Sequence, residues 1–400
     1  MFQTYKPILV WSVLAILIGI TVGALDALFG RVLLSLSSFR GEHFLYLIPF
    51  LAIAGLITVY LYQHVAKEAS KGMGLIFNIA HQSDEAIPVR LIPIITVSTW
   101  LTHLFGGSAG REGVAVQLGA TVANYLGDLA KIKNRHLMVM VGMAAGFSGL
   151  FQTPLAATFF AVEVIMAGTI YYTAIPPALL ASLISAYTAH YLGLEKFVVT
   201  ITKLPNFNLY LILKLGIIGV LFGLTGFGFA WLLSYTKAKL TVLAPNPYIK
   251  IALGSILLSS LLLLLFQGRY AGLGTNLITM AFDGRPIFLW DFGLKFLLTL
   301  LTLAIGFQGG EVTPLFAIGA TLGIILAHLF GLPLTFVAAL GYAAVFAAAT
   351  NTFFAPILIG CEVFGFSLIP YLFMTVAVSY CLNFNRSIYT GQTRRLTKKK

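Results

Sequence analysis

Charged side chains are scarce in this 400-residue chain, and acidic ones are the scarcest. Charged residues make up 10% of it, with 13 acidic against 25 basic residues. Soluble domains carry roughly 25% charged residues, so this composition excludes an ordinary soluble domain. Apolar residues make up 59% of the chain, and its mean hydropathy is +0.94. Because a spanning helix needs about 20 apolar residues, we expect an all-α polytopic membrane protein with no sizeable soluble domain at either end.

Reactive and metal-binding side chains are also few. Cys361 and Cys381 lie in apolar segments and do not form a disulfide framework. His103 has no partner at a metal-like spacing, so we expect it to be packed against its neighbours. Without a nucleophile motif or a paired acidic cluster, we expect no metal, no cofactor and no enzyme activity. A membrane-embedded enzyme and a scaffold or lipid-binding membrane protein are the alternatives from other classes.

Positive charge is in excess, with a net charge of +12. The basic residues are scattered over short loops and one tail, which disfavours a nucleic-acid partner and fits the positive-inside rule. Arg394, Arg395 and the three lysines at 398–400 therefore predict a cytoplasmic C-terminus. The first apolar run, 8–25, has no convincing cleavage site, and we interpret it as a retained helix of a multi-pass plasma-membrane protein.

Polar stretches divide the apolar chain. The stretch at 195–208 lies near the middle, so we expect a first transmembrane half at 1–194 and a second at 209–382, with 195–208 as the connecting loop. The remaining residues, 383–400, form a final segment that contains the basic tail. A shorter polar stretch at 38–42 predicts a loop after the first helix.

An internal repeat relates the two halves. Gly-Ala-Thr at 119–121 recurs at 319–321, and Gly-x-Ala-Ala at 142–145 recurs at 341–344. The shared order and spacing carry more weight than any single match of small residues. Paired, glycine-interrupted segments in two halves are the best sequence indication of a transport site. The repeat alone leaves open whether the halves are inverted.

Three glycine-marked breaks, at 72–74, 110–113 and 309–314, precede apolar helical patterns. Glycine is unfavourable inside a helix, so the breaks predict helix starts with exposed backbone N–H groups. A helix N-terminus attracts anions through these groups and its dipole, without a full positive charge. Three such ends aimed at one midplane point would bind an anion and release it quickly. The alternative at each single break is close helix packing through small residues.

Glu112 is the ionisable residue at the second break, next to Arg111. Inside a membrane segment an ionised group costs at least ~2.5–3.5 kcal/mol and is a functional candidate by default. Its carboxylate could occupy an anion site itself, or leave that site by taking up a proton. The alternative is that Glu112 caps its own helix and pairs with Arg111.

With these motifs in order, the chain resembles the CLC family of chloride channels and proton-coupled anion antiporters over nearly its whole length. Gly-Arg-Glu-Gly at 110–113 matches the family motif whose Glu is the external gate and proton carrier. The segment 309–314 matches the second pore motif, where backbone N–H groups bind the central anion. Tyr389 matches the pore tyrosine. The resemblance implies the CLC fold with two inverted halves, broken helices meeting at the midplane, and a homodimer with one pore per subunit. No regulatory CBS domains are expected.

Departures from the family pattern narrow the resemblance. Met73 stands where the first pore motif has Ser, Val114 where Pro is usual, and Val312 where Phe is usual. Val164 occupies the place of the inner proton-transfer Glu of chloride/proton antiporters. This set is similar to the fluoride-exporting branch of the family, which exchanges fluoride for protons. Glu163, one residue earlier, is expected to be structural or interfacial, as is Glu362.

The resemblance therefore implies a fluoride/proton antiporter that exports fluoride across a bacterial plasma membrane, with Glu112 gating the path and carrying the proton. Its partners are fluoride, protons, the lipid bilayer and a second copy of the chain. A chloride or nitrate channel, or a chloride/proton antiporter, is the alternative within the family. The implied ion-binding residues are Gly72, Met73, Gly74, Gly110, Arg111, Gly113, Glu311, Val312, Thr313 and Tyr389. Phe77 and Asn78 are further candidates to line the pore.

Overall fold

The structure is a computed structural model, and it describes residues 2–67, 72–81 and 87–394. The basic residues at 395–400, on which the predicted cytoplasmic C-terminus chiefly depends, lie outside the described residues. The same holds for the charged residues at 68–71 and for most of the polar segment around 82–86.

The first half of the described chain consists of helices joined by short connections. These helices are α1 (Phe2–Leu47), α2 (Leu51–His64), α3 (Met73–Ala80), α4 (Leu91–Leu104), α5 (Glu112–Leu129), α6 (Arg135–Phe151), α7 (Pro154–Val164) and α8 (Ile175–Tyr191). A stretch without helix or strand follows, and the second half is again helical. Its helices are α9 (Leu209–Leu243), α10 (Pro247–Leu264), α11 (Thr275–Phe282), α12 (Asp291–Ile305), α13 (Val312–Phe330), α14 (Leu334–Thr350), α15 (Phe354–Phe364) and α16 (Ile369–Cys381).

Four helical stretches within the described residues are long and apolar enough to cross a membrane. They are Leu9–His64, Leu209–Leu243, Pro247–Leu264 and Val312–Phe330. Several apolar helices are shorter, as expected for partial crossings. The only described strands are two residues each: β1 (Met166–Ala167) pairs in parallel with β2 (Thr393–Arg394). The prediction of an all-α membrane protein is confirmed apart from this small pair.

The predicted loop at 38–42 is wrong, because α1 continues through these residues to Leu47. The helix departs from helical geometry only at His43, where φ is −118° and ψ is 24°. Arg40 explains why polar residues occur inside the helix. Its guanidinium donates a hydrogen bond of 2.5 Å to the backbone oxygen of His103 in α4. The polar stretch therefore marks a helix–helix contact and not a chain reversal.

Helix lengths recur in order between the two halves. From α3 to α7 the lengths are 8, 14, 18, 17 and 11 residues, and from α11 to α15 they are 8, 15, 19, 17 and 11. The repeated glycines make equivalent contacts. A Cβ on Gly119 would lie 2.1 Å from the oxygen of Gly142, and a Cβ on Gly319 would lie 2.1 Å from that of Gly341. Glycine thus lets α5 approach α6, and α13 approach α14, through their backbones.

Two glutamates cap each other's helices across the halves. Glu163, near the end of α7, accepts hydrogen bonds from the backbone N–H groups of Phe353, Phe354 and Ala355 at the start of α15. Glu362, near the end of α15, accepts from the N–H groups that begin α7, those of residues 155 and 156, at 3.2 and 2.8 Å. Such reciprocal contacts arise when two equivalent elements run in opposite directions about a two-fold axis.

Candidate ion-binding site

A short antiparallel bridge joins two of the three glycine-marked breaks at the centre of the molecule. Gly110 and Gly310 exchange backbone hydrogen bonds of 2.5 and 2.8 Å. A Cβ on Gly110 would lie 2.9 Å from the oxygen of Gly310, so a side chain would force the two segments apart. The bridge therefore needs glycine, and it fixes the starts of α5 and α13 against each other.

The Glu112 carboxylate lies at the N-terminus of α13. The residue is buried, and its side chain is 1% exposed. One oxygen accepts hydrogen bonds from the backbone N–H of Thr313, at 3.0 Å, and from that of Arg111, at 3.1 Å. The other oxygen accepts from the Thr313 hydroxyl, and the Arg111 Nε lies 3.9 Å from it. The carboxylate thus accepts hydrogen bonds from the donors at a helix N-terminus. A mobile anion would bind to the same donors.

A cavity of about 80 Å³ lies on one side of this carboxylate. We call it the Glu112-side cavity. Its polar lining includes Arg111, Glu112, Thr313 and Tyr342, together with the exposed residue Glu195. Phe151 is among its apolar residues, and the ring of this residue contacts Phe316 at a centroid distance of 5.4 Å.

A second cavity, of about 200 Å³, lies beside the third break. We call it the Tyr389-side cavity. It is lined by Gly72, Met73, Gly74, Gly113, Gln117, Lys237, Gln308, Gly309, Glu311 and Tyr389, among others. Gly113 and Glu112 are chain neighbours that line different cavities, so the start of α5 separates the two spaces.

The first break supplies the start of α3 to the Tyr389-side cavity. Gly72 precedes α3 with φ of +53°, a left-handed conformation that favours glycine. Tyr389 is only 5% exposed, and its ring stacks on Phe77 at a centroid distance of 5.6 Å. The edge of Tyr389 also meets Phe160 at 6.0 Å. All three breaks therefore contribute residues to the Tyr389-side cavity.

The other residues predicted to bind the ion or to line the pore do not contact the Glu112 carboxylate through a side-chain hydrogen bond. Val312 is buried at the first position of α13, and Glu311 immediately precedes that helix. The Glu311 carboxylate interacts electrostatically with Lys237. Phe77 is fully buried and reaches the site through its contact with Tyr389. Asn78 lies on α3 but is not among the residues that line either of the two cavities.

A buried lysine supports the loop that precedes the second break. Lys295, on α12, is fully buried, and its Nζ donates to the Ser108 hydroxyl at 2.9 Å and to the backbone oxygen of Gly272 at 2.7 Å. The N–H of Ser108 in turn donates to the Thr302 hydroxyl at 3.1 Å. These bonds fix the loop that precedes Gly110, and this loop positions Gly110 for its backbone bridge to Gly310.

Sequence reasoning missed several residues of the site. Tyr342 lines the Glu112-side cavity and stacks on Phe316 at 3.9 Å. Its position directly after the repeated Gly341 is a signal that could have revealed it. Lys237 and Gln117 line the Tyr389-side cavity, but neither belongs to a motif. Within the described ranges, no group of three or more His, Cys, Asp or Glu side chains could hold a metal ion.

This arrangement can bind one small anion in competition with one carboxyl group. Backbone and hydroxyl donors are fixed at the start of α13, and Glu112 fills them. A carboxylate is a strong acceptor, whereas the protonated form has lost its charge and holds such donors less well. Removal of the carboxylate would therefore free the donors for an anion that reaches them from either cavity.

Together, the fold and the site define a membrane-embedded ion-transport protein. The family model described as voltage gated chloride channel matches residues 54–383. This chain therefore belongs to the voltage-gated chloride channel family. It is 33% identical to a "Chloride/fluoride channel protein" of Pseudomonas syringae over 96% of this chain and 86% of the relative. It is 27% identical to the H(+)/Cl(-) exchange transporter ClcA of Yersinia pseudotuberculosis, over 86% of this chain and 78% of the relative.

Solved structures agree with this assignment. A crystal structure of a CLC-type fluoride/proton antiporter is 49% identical, with a TM-score of 0.97 over 98% of this chain and 99% of that one. The structure of a slow cyanobacterial Cl-/H+ antiporter is 22% identical, with a TM-score of 0.82 over 93% of this chain and 94% of that one, and shows likeness of fold alone. The prediction of the CLC fold is confirmed.

Proposed function

We propose that this protein exchanges fluoride for protons, and that Glu112 is both the gate and the proton carrier. The observation that carries the proposal is the Glu112 carboxylate, which is buried and occupies the donors at the start of α13. It lies where the two cavities approach each other. A single carboxyl that must leave for an anion to bind couples the anion to a proton, because protonation weakens its hold on the donors.

The chemistry of the donors suits fluoride. Fluoride is small, strongly hydrated and basic, so it needs short, strong hydrogen bonds to replace its water. Thr313 offers both an N–H and a hydroxyl, and Arg111 offers an N–H. Val164 is apolar and fully buried at the place of the inner proton-transfer Glu of the chloride/proton antiporters. The proton therefore travels on Glu112 itself and passes the basic fluoride ion at the site.

Two comparisons favour fluoride as the substrate. The structural neighbour at 49% identity is a fluoride/proton antiporter, and the Pseudomonas syringae relative is named for both chloride and fluoride. The relatives named as chloride/proton exchangers share less identity with this chain. We propose that the ion path is also lined by Met73, Tyr389 and the backbone around Val312.

The orientation and assembly are part of the same proposal. Lys237 lines the Tyr389-side cavity, and Lys67 and Lys250 line a neighbouring cavity that shares Gln308 with it. By the positive-inside rule, this side faces the cytoplasm of a bacterial plasma membrane, as does the C-terminus. The chain forms a homodimer with one ion path in each subunit. Chemical cross-linking in liposomes tests the dimer.

The substitution Glu112→Gln tests the function directly. The amide keeps the size of the side chain but cannot carry a proton. In liposomes with an outward fluoride gradient, we expect proton movement to fall to the background of empty liposomes, because Glu112 is the carboxyl that accepts the hydrogen bonds of Thr313 at the start of α13. A fluoride electrode and a pH electrode, read at the same time, make the measurement.

Asp128→Asn is the matched control, because Asp128 is an exposed carboxyl on the same helix and pairs with Arg135 at 3.4 Å. It should leave both fluxes unchanged. Undiminished coupled proton flux in Glu112→Gln would refute the assigned role. Equal flux of chloride and fluoride in the unmodified protein would instead favour the chloride transporter of the same family.

A further inference from the structure

A third cavity, of about 590 Å³, lies next to the Tyr389-side cavity, and the exchange described above does not use it. We call it the Lys250 cavity. Gly306 and Gln308 line both spaces, so the two cavities adjoin just before the third break. A space of this size is much larger than one halide ion needs, and it lies in the range of sites that hold organic ligands.

The lining of the Lys250 cavity is basic. Lys250, Lys67 and His64 contribute to it, and none of the described residues that line it is acidic. The Lys250 ammonium forms no salt bridge with a carboxylate in the described part of the chain. Pro247, the first residue of α10, also lines the space, so the positive end of that helix dipole lies there. The cavity is therefore suited to an anionic ligand.

The same lining contains a buried hydroxyl group without a partner. Tyr62, on α2, is 7% exposed, and its hydroxyl has no hydrogen-bond partner among the described residues. The Thr58 hydroxyl, one turn earlier, donates to the backbone oxygen of Ala54 at 3.0 Å, so its own hydrogen is already used. Buried polar groups are nearly always hydrogen-bonded, because leaving one unpaired is costly. An anionic oxygen that accepts the Tyr62 hydrogen removes this cost.

The Lys250 cavity lies at the ends of two helices of the membrane region. α2 ends at His64 and α10 begins at Pro247, and both are parts of stretches long and apolar enough to cross a membrane. Basic residues at the ends of such stretches lie at the level of the lipid headgroups. Basic pockets between helices at this level bind the headgroups of anionic lipids.

An exposed apolar strip on α10 continues from the cavity. Leu253 and Leu257 follow Lys250 by three and seven residues, so they lie on the same side of the helix. These leucines are 63% and 53% exposed. Because a helix rises 1.5 Å per residue, Leu257 lies about 10 Å further into the membrane than Lys250. An acyl chain attached to a headgroup in the cavity can cover this strip, whereas a soluble anion leaves it uncovered.

We propose that the Lys250 cavity binds the phosphate group of an anionic membrane lipid. The Lys250 ammonium and the Tyr62 hydroxyl donate hydrogen bonds to the phosphate oxygens, and Lys67 adds positive charge. One acyl chain lies along Leu253 and Leu257. Inorganic phosphate and soluble phosphate esters share the chemistry of the headgroup but lack the chain. The inference does not depend on the proposed fluoride/proton exchange.

Titration of dioctanoyl phosphatidylglycerol into the full chain, purified in an uncharged detergent, tests the proposal. A ligand that binds the folded protein raises the thermal midpoint with its concentration, which gives an apparent Kd. We expect Lys250→Gln to weaken binding about fivefold. Tyr62→Phe should weaken it about tenfold, because a hydrogen bond to a charged group is lost. Lys239→Gln, which removes an exposed lysine outside the cavity, is the matched control and should keep the original affinity.

The lipid-free protein separates lipid binding from a structural role. Because the Tyr62 hydroxyl has no partner in the described part of the chain, Tyr62→Phe should not lower the thermal midpoint without lipid. Only the shift caused by the lipid should be smaller. Two further probes separate the headgroup from the chains. Dioctanoyl phosphatidylcholine, which has no net charge, and glycerol 3-phosphate, which has no chains, should each bind at least about tenfold more weakly.

Unchanged binding of phosphatidylglycerol in either Lys250→Gln or Tyr62→Phe would overturn the proposal, as would equal weakening in Lys239→Gln. A lower lipid-free midpoint in Tyr62→Phe would assign that hydroxyl a structural role and contradict the proposal as well. Equal binding of phosphatidylcholine would mean that the chains alone determine affinity. Equal binding of glycerol 3-phosphate would mean a site for a soluble anion, and either result excludes the lipid phosphate. Failure of the proposed function appears separately, as coupled proton flux that survives Glu112→Gln.

Discussion

At the scale of single residues, the site depends on Thr313 as much as on Glu112. Thr313 is the second residue of α13 and gives the carboxylate both its backbone N–H and its hydroxyl. The backbone donor is available from any residue except proline. The hydroxyl is specific to Thr or Ser, and in the proposed exchange we expect it to add one hydrogen bond to the anion that replaces the Glu112 carboxylate.

Thr313→Val removes this hydroxyl and keeps the shape of the side chain. A hydrogen bond to a charged group contributes about 1.5–3 kcal/mol, so fluoride affinity should fall roughly 10- to 100-fold. Isothermal titration of fluoride into the purified protein measures the change. Thr313→Ser, which retains a hydroxyl, should bind fluoride nearly as well as the original protein. Equal affinity in the Val and Ser variants would contradict the assigned contact.

The sequence predicted these residues unevenly. Glu112 was identifiable because a charged motif stands out in an apolar chain and because the motif resembles that of a known family. The bond between Glu112 and Thr313 joins residues 201 positions apart, and a local pattern does not reveal such a contact.

At the scale of elements, glycine and proline marked the helix starts well. The breaks predicted starts near 73, 112 and 312, and α3, α5 and α13 begin at Met73, Glu112 and Val312. Local backbone chemistry determines such starts, so it can be recognised in the sequence. The loop predicted at 38–42 was wrong because Arg40 serves a partner in another helix, which polarity alone does not show.

The reciprocal caps of α7 and α15 lead to a prediction at this scale. Glu163→Gln removes the charge at the start of α15 but keeps one acceptor oxygen. An anion at a helix N-terminus contributes about 0.3–1 kcal/mol, and up to about 2 kcal/mol when partly buried. We therefore expect a thermal midpoint lower by a few degrees, measured by fluorescence in detergent, with unchanged coupling of proton to fluoride flux.

Glu362→Gln is the matched partner, since it weakens the equivalent cap of α7 and should lower the midpoint by a similar amount. Glu163 adjoins Val164, where the family resemblance would place an inner proton carrier. A loss of proton coupling in Glu163→Gln, with an unchanged melting midpoint, would mean that this carboxyl carries protons and does not serve as a cap.

At the scale of the whole molecule, a nearly two-fold scaffold holds an asymmetric set of charges. The helices recur in order, the caps are reciprocal and the central glycines pair with each other. Glu112 has Val312 as its counterpart, so the carboxyl belongs to one half only. The proposed division at 195–208 fits this recurrence. The repeat in the sequence predicted two related halves but could not show how they face each other.

The two cavities also differ in charge, and this difference leads to a further prediction. Lys237 is half-buried in the lining of the Tyr389-side cavity, which also contains Glu311, and we expect its charge to attract anions toward the site. Lys237→Gln should slow fluoride efflux at low ionic strength by up to about tenfold, the lower end of the range for electrostatic steering. The difference should shrink in high salt, because mobile ions screen the charge. Efflux rates measured in impermeant salts of increasing concentration test this.

Lys239 provides the control for this measurement. It lies two residues further along α9, is exposed, and has its ammonium 5.7 Å from the centre of the Tyr235 ring. Lys239→Gln removes the same charge from the same helix but not from the cavity, so efflux should stay as in the unmodified protein. Equal slowing by both substitutions would point to the net charge of the protein and not to the cavity.

The pairing of Gly110 with Gly310 has a mechanical consequence. The groups that bond here are backbone N–H and C=O groups, which have no rotamers. They therefore cannot move away by a rotamer change, as a side chain can. The backbone boundary between the two cavities is therefore held by main-chain bonds, and the Glu112 side chain is the neighbouring group with rotamers to change. In the proposed exchange, we expect rotation of that side chain to open the path without displacement of the bridged backbone.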